Sequence, residues 1–168
     1  MEFERHDAGA SWLAGDVMFR CSHALVEDGR VWLVDPVDVA DAVAQAAALG
    51  EPAGVLQLLD RHNRACGAFA RRLGVRHHQV PFEAVGPFEV VPILRRRHWQ
   101  EVALWWPERR VLVAAEVLGT LGFFTFGRAK VGVHPLLRLK RPRLVERFDP
   151  DVVLVSHGEG VTLRETGG

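Results

Sequence analysis

Apolar residues in this chain come in short runs, each cut off by Gly, Pro or a charged residue, and two stretches of helical spacing are set between them. Val17 to Val26 and Arg30 to Val34 are rich in β-forming residues and flank Glu27-Asp28-Gly29, whose Asp-Gly pair favours a tight turn, so two antiparallel strands are expected. Asp35-Pro36 ends the second strand. Val39 to Leu49 then sets Val39, Val43, Ala46 and Ala47 at helical spacing, with Gly50 as the stop. Gly54 to Leu59 reads as a buried strand and Asn63 to Leu73 as a second helix closed by Gly74, leaving Asp60 to Ala65 as the strand-to-helix loop. Arg76 to Val80, Phe88 to Leu94, Glu101 to Trp106 and Arg110 to Ala115 follow as a meander of short strands. Leu118 to Val133 scatters Gly and small residues among Phe123, Phe124 and Phe126 and reads as irregular. His134 to Phe148 is apolar but broken at Pro142, which predicts a broken helix or a loop plus a short helix, and Asp151 to Val155 is the last strand. Helices inserted between strands that need both faces covered imply a layered α/β fold rather than a barrel or a bundle.

The chain carries no fixed-period repeat, low-complexity tract or linker, so residues 1–168 read as one domain. At 168 residues, 48% of them hydrophobic, it can bury a core without disulfides or metal. Lys+Arg and Asp+Glu are equal at 21 each, which removes any bulk field toward nucleic acid or an anionic membrane. The basic residues are nearly all Arg, with Lys only at 130 and 140, so Arg95-Arg96-Arg97 and the set Arg138, Lys140, Arg141, Arg143 read as solvated faces and a nucleic-acid partner is not expected. No run approaches the roughly twenty apolar residues that cross a bilayer. The N-terminus, Met1-Glu2-Phe3-Glu4-Arg5-His6-Asp7, is charged where a signal peptide would turn apolar; a cytoplasmic protein with no membrane partner is expected. Cys21 and Cys66 are too few for a disulfide scaffold or a cysteine-built zinc site, so any metal must be held by His and carboxylates.

The ends of the apolar runs carry the chemistry. Gly29-Arg30-Val31-Trp32-Leu33-Val34-Asp35-Pro36 is a strand ending in Asp before a Pro loop; Leu59-Asp60-Arg61-His62-Asn63-Arg64-Ala65-Cys66-Gly67 leaves the next strand; Val102 to Gly119 is a two-strand hairpin leading to Glu116; Pro150 to Gly160 closes on Ser156-His157-Gly158. Taken in order, these four stretches resemble the metallo-β-lactamase fold superfamily over about residues 18 to 160. The resemblance implies a compact α/β fold of the family's type, a four-layer αββα sandwich. It also implies metal sites built at strand ends, where zinc or iron acidifies a bound water for attack on esters, thioesters, lactams or phosphodiesters.

Mapped onto the family's H-x-H-x-D-H motif, the first His is Asp60, the second is kept as His62, the Asp is Arg64 and the last His is Ala65. The third loop His falls at Arg97 or His98, the bridging Asp becomes Glu116, and the closing His is kept as His157. A second metal would use Arg64, Ala65 and His157, and a guanidinium supplies charge instead of a lone pair, so a dinuclear centre is not expected. Two readings follow from the resemblance. In the first, Arg64 replaces the cation, pairing with Glu116 or Asp60, and the protein survives without a cofactor as a module binding a small molecule or a protein. In the second, His62, Asp60, Glu116, His157 and His98 supply one divalent zinc, manganese or iron ion in a hydrolase, with Asp60 or Glu116 as the base.

Three further constellations invite a reading. His62 and Cys66, four apart at a helix start, form either a Cys-His nucleophile pair or, in the plainer view, an imidazole beside a small buried residue. His77 and His78 are strand neighbours that face opposite ways and cannot form one chelate, and His134 reads as an exposed loop residue or as part of a lid over the site formed by residues 119–133. Trp105 and Trp106 also face opposite sides of a strand, which places one in the core and leaves the other for an interface such as a homodimer contact.

Overall fold

Asp28 and Gly29 both take positive φ, at 48° and 73°, the geometry of the two-residue turn that matches the twist of its strands. The second strand of the hairpin they close runs directly into Asp35. The computed structural model describes residues 3–14, 19–39, 41–62, 65–140 and 142–163. In chain order its elements are β1 (Phe3–His6), β2 (Gly9–Leu13), β3 (Cys21–Glu27), β4 (Arg30–Val34), α1 (Ala42–Ala47), β5 (Glu51–Gln57), α2 (Cys66–Leu73), β6 (His77–Gln79), β7 (Glu89–Arg96), β8 (Trp99–Trp106) and β9 (Val111–Ala114). There follow β10 (Leu118–Gly119), α3 (Gly122–Thr125), β11 (Gly132–Val133), α4 (Leu144–Phe148), β12 (Val152–Val155) and β13 (Val161–Thr162), with 3-10 turns over Pro107–Arg109 and Pro135–Lys140.

The strands form a six-stranded sheet in the order β1 to β6 and a five-stranded sheet in the order β13-β12-β9-β8-β7, with β10 and β11 as a separate small hairpin. β4, β5 and β6 run parallel, as do β9 and β12; the remaining pairs are antiparallel. Between the sheets lies a core of Leu25, Trp32, Val34, Leu56 and Leu58 against Leu104, Trp106, Val111, Val113 and Leu154. The outer face of the first sheet is covered by Ala42 and Ala46 of α1 and Cys66, Phe69 and Ala70 of α2. The outer face of the second is covered by Leu137, Leu144, Val145 and Phe148. Helix, sheet, sheet, helix is the four-layer αββα order, with short helices as the outer layers.

Each layer follows from local rules. α2 stops at Gly74, which takes the left-handed φ of 66° that a Cβ resists. Pro142 divides the segment after residue 133 into a 3-10 turn and α4, since a proline ring cannot continue the turn before it. Within the irregular stretch 118–133 the chain does form α3 and the β10–β11 hairpin, both too short to leave a periodic signal.

Two readings of the sequence are corrected and one hairpin is added. β6 does not join a meander with β7 to β9; it lies parallel to β5 in the first sheet, because the intervening helix α2 packs on one face and carries the chain back in the same direction. β1 and β2 form an additional hairpin whose charged edge residues Glu4 and Arg5 hid it, held by Phe3 stacked on Trp12 at 6.0 Å. Neither strand tryptophan is exposed: Trp106 enters the inter-sheet core beside Phe88 at 5.2 Å, and Trp105 is covered by Phe148 at 5.1 Å. Asn63 and Arg64 lie outside the described residues.

Candidate functional site

Four strand ends meet at one edge of the sandwich, and backbone bonds between the two sheets hold them there. Cys21 N–H donates to the Ser156 carbonyl at 3.0 Å; Val102 N–H donates to Leu58 at 2.9 Å and Asp60 N–H to Gln100 at 3.0 Å. These links bring Asp35 after β4, residues 58–62 after β5, Glu116 after β9 and His157 after β12 into contact.

Asp35 is fully buried and is the hinge of the arrangement. One carboxylate oxygen accepts the Leu58 N–H at 3.1 Å; the other accepts the Ser156 hydroxyl at 3.1 Å and faces His62 Nδ1 at 3.2 Å. Its own carbonyl accepts the Ser22 hydroxyl at 2.9 Å. A carboxylate opposite Nδ1 places the imidazole proton there and leaves the lone pair on Nε2. That Nε2 is buried, has no hydrogen-bond partner, and points at Glu116 Oε1, 3.8 Å away. The His157 ring lies 5.6 Å from the His62 ring, and ligand atoms of His62, Glu116 and His157 all fall within 4.8 Å of one another.

This set suits a small divalent ion. Two imidazoles and a carboxylate are ligands that zinc, manganese and iron accept, and three protein ligands leave a coordination position open for water or substrate. Bonds of about 2.0–2.2 Å put ligand atoms roughly 3–4 Å apart, so a closure of about an ångström completes the geometry. The orphaned His62 nitrogen is the observation that fits an ion best, because a buried lone pair without a donor is costly. Against it stands Arg61, whose guanidinium donates to the other oxygen of Glu116 at 2.7 Å. A cation-for-metal pairing of the kind expected of Arg64 is thus made to Glu116 by Arg61, while Arg64 itself falls outside the described residues.

The remaining candidates are placed as follows. Asp60 does not join the His62, Glu116 and His157 group; it lines a neighbouring cavity of about 430 Å³ with His62, Gln57, Arg71, His77 and Gln79, and its Oδ1 is buried without a partner. Arg97 and His98 form the exposed two-residue turn between β7 and β8, and neither reaches the cluster. Ala65, where the motif's last His would stand, precedes α2 and brings no ligand atom. Cys66 is buried in the core beneath α2 while His62 is turned to Asp35 and Glu116. His77 bonds the Gln57 side chain at 3.1 Å and His78 packs by Trp32, and burial holds both below the ordinary imidazole pKa.

Sequence reading missed Asp35 as the partner of His62, although its place at the end of an apolar strand before Pro was the available signal. It also missed Glu101, a fully buried carboxylate that accepts the Trp99 indole N–H at 2.8 Å and the Val117 N–H at 2.6 Å. Burial pushes Glu101 up to about 7 against those two hydrogen bonds, and the nearby Glu116 charge pushes the same way. The 119–134 segment packs onto the site: Phe124 stacks on the His157 ring at 6.3 Å and His134 sits 5.2 Å from Trp99. Desolvation there lowers His134, with Glu116 opposing and Arg61 assisting.

No family model matches the chain, and a search of curated proteins finds no match. Solved structures do match. DIM-1 metallo-beta-lactamase is 12% identical with a TM-score of 0.67, covering 96% of this chain and 91% of that one. TTHA1623 in a di-iron-bound form is 16% identical with a TM-score of 0.66, covering 90% and 93%. The metallo-beta-lactamase FIM-1 from Pseudomonas aeruginosa, in a mono-zinc form, is 13% identical with a TM-score of 0.65, covering 96% and 89%. Identities this low speak for the backbone and not for the chemistry. With the layer order, the sheet topology and the meeting of strand ends already in hand, they establish that this chain has the metallo-β-lactamase fold.

Proposed function

We propose that the chain is a metal-dependent hydrolase with a single-ion centre, in which His62, Glu116 and His157 hold one divalent zinc, manganese or iron ion and an ester, thioester or phosphoester is cleaved by water. The observation that carries this reading is the His62 imidazole: its Nδ1–H donates to the Asp35 carboxylate, and the lone pair on Nε2 is buried, unpartnered and lies beside Glu116 and His157. When bound, such an ion supplies Lewis-acid polarisation of the substrate and an acidified water. The protein side of the work belongs to the residues around it. Asp35 and Ser156 fix the ring of His62 in one orientation. Glu116 is held by Arg61 so that one oxygen stays turned to His62. Asp60, with a buried oxygen that lacks a donor and a place beside His62 in the lining of the adjoining cavity, is the carboxylate we assign as base. A dinuclear centre is not part of this proposal, since Ala65 offers no ligand and the Arg61 cation already neutralises Glu116.

The Arg61–Glu116 pair supports a second reading, a metal-free binding module in which the guanidinium is the permanent counter-ion of Glu116. Hydrolysis separates the two. Protein loaded with zinc or manganese should cleave at least one of a p-nitrophenyl ester, a thioester and a bis-p-nitrophenyl phosphate, with His62→Ala and chelator each reducing the rate by about a hundredfold or more. Rates equal to the uncatalysed reaction on all three, with the metal bound, would leave the binding module as the better account.

A further inference from the structure

The side chains around the centre close into a ring. His62 meets Glu116 at 3.8 Å; Glu116 meets Arg61 at 2.7 Å; the Arg61 guanidinium lies 4.4 Å over the Trp99 ring. Trp99 meets His134 edge-on at 5.2 Å, His134 meets Phe124 at 5.8 Å, Phe124 stacks on His157 at 6.3 Å, and His157 returns to His62 at 5.6 Å. One arc of this ring carries ligand atoms, one carries charge and one is aromatic.

Two features of the rim are unused by the protein itself. Arg61 is 46% exposed, and among the described residues its hydrogen bonding is the single contact with Glu116, although a guanidinium offers five N–H donors. Phe123 is 59% exposed while its ring is held edge-on to both Phe124 at 5.4 Å and His134 at 5.6 Å. An exposed phenyl fixed by two neighbours presents an apolar face at little entropic cost, and a half-used guanidinium stacked on indole presents donors in a fixed plane. Together they match a flat ring bearing an anionic group.

We propose that the rim formed by Arg61, Trp99, Phe123 and His134 binds an aromatic carboxylate, with the ring against Phe123 and His134 and the carboxylate on the outward N–H groups of Arg61. This deepens the proposed function by naming the ligand class of the same site, and it rests on that site being the functional centre. It does not depend on metal, so the test uses chelator-treated protein. With 2-naphthoate as probe, ligand-observed NMR or calorimetry should give saturable one-to-one binding. Arg61→Gln should weaken 2-naphthoate by about fivefold or more while leaving the uncharged 2-naphthamide within about twofold of the parent. Phe123→Ala, at a position too exposed to threaten folding, should weaken both probes by about fivefold. Non-saturable binding of 2-naphthoate, or parental affinity in either variant, overturns the proposal. A chain that binds 2-naphthoate but hydrolyses nothing with metal keeps this inference and loses the hydrolase reading; the reverse result loses this one alone.

Discussion

His62 can serve as a ligand only in one tautomer, and at the residue scale the site depends on the group that sets it. Asp35 is fully buried, sits at a left-handed φ of 44° and accepts hydrogen bonds from a backbone amide and a hydroxyl while facing the imidazole. Asparagine tolerates that backbone, so Asp35→Asn should fold, while losing the charge that holds the Nδ1 proton; its affinity for zinc, titrated against a competing chelator, should fall by about 10- to 100-fold. Glu101 makes a second prediction. Its folded pKa of about 7 lies above the ordinary 4.5, so the folded state keeps a proton that the unfolded chain has released, and stability falls as pH rises toward and through 7. Histidines 6, 77, 78 and 134 are all lowered, and their opposite slope lies below pH 6.5. Between pH 6.5 and 8 denaturant melts should therefore lose roughly 1 kcal/mol, a loss that Glu101→Met abolishes. The resemblance to the family's motif order pointed to His62, Glu116 and His157 together with Asp60 and His98, and the structure gathers the first three into one group. Arg61 and Glu101 were not legible in the sequence, since neither a solvated-looking Arg beside the motif nor a Glu at a strand start reveals what tertiary contact will bury or pair it.

At the scale of elements, the turns and stops were the most readable parts. Asp28-Gly29 and Gly74 declare themselves because backbone geometry there excludes most residues, whereas the partner of a short strand such as β6 is decided by where α2 packs and leaves no trace in its own three residues. The 119–133 stretch was unreadable because its elements are two to four residues long. Its seating on the site is nevertheless demanding. A Cβ at Gly119 would collide with the Phe124 ring, the ring that stacks on His157. Gly119→Ala should therefore lift α3 from the centre, costing about 1–3 kcal/mol and raising amide exchange in residues 119–133 while β8 and β9 stay protected. Equal protection of 119–133 in both proteins would show that this segment does not depend on that contact.

At the scale of the whole molecule, the order of strands and helices carried the layered α/β reading, and the sheet pairing shows how that order is used. Parallel pairs β4–β5 and β9–β12 put four strand ends at one edge, and the links from Cys21 to Ser156 and from Asp60 to Gln100 draw the two sheets together there. The fold thus brings His62, Glu116 and His157 into one group, while Asp60, which follows the same strand as His62, stays outside it. These three residues are proposed to hold one ion. Elemental analysis of protein loaded with zinc and dialysed against metal-free buffer should give one equivalent per chain, falling to near zero in His157→Ala with the far-UV circular dichroism unchanged. No bound metal in the parent, or two equivalents, or one equivalent that survives His157→Ala, would contradict it.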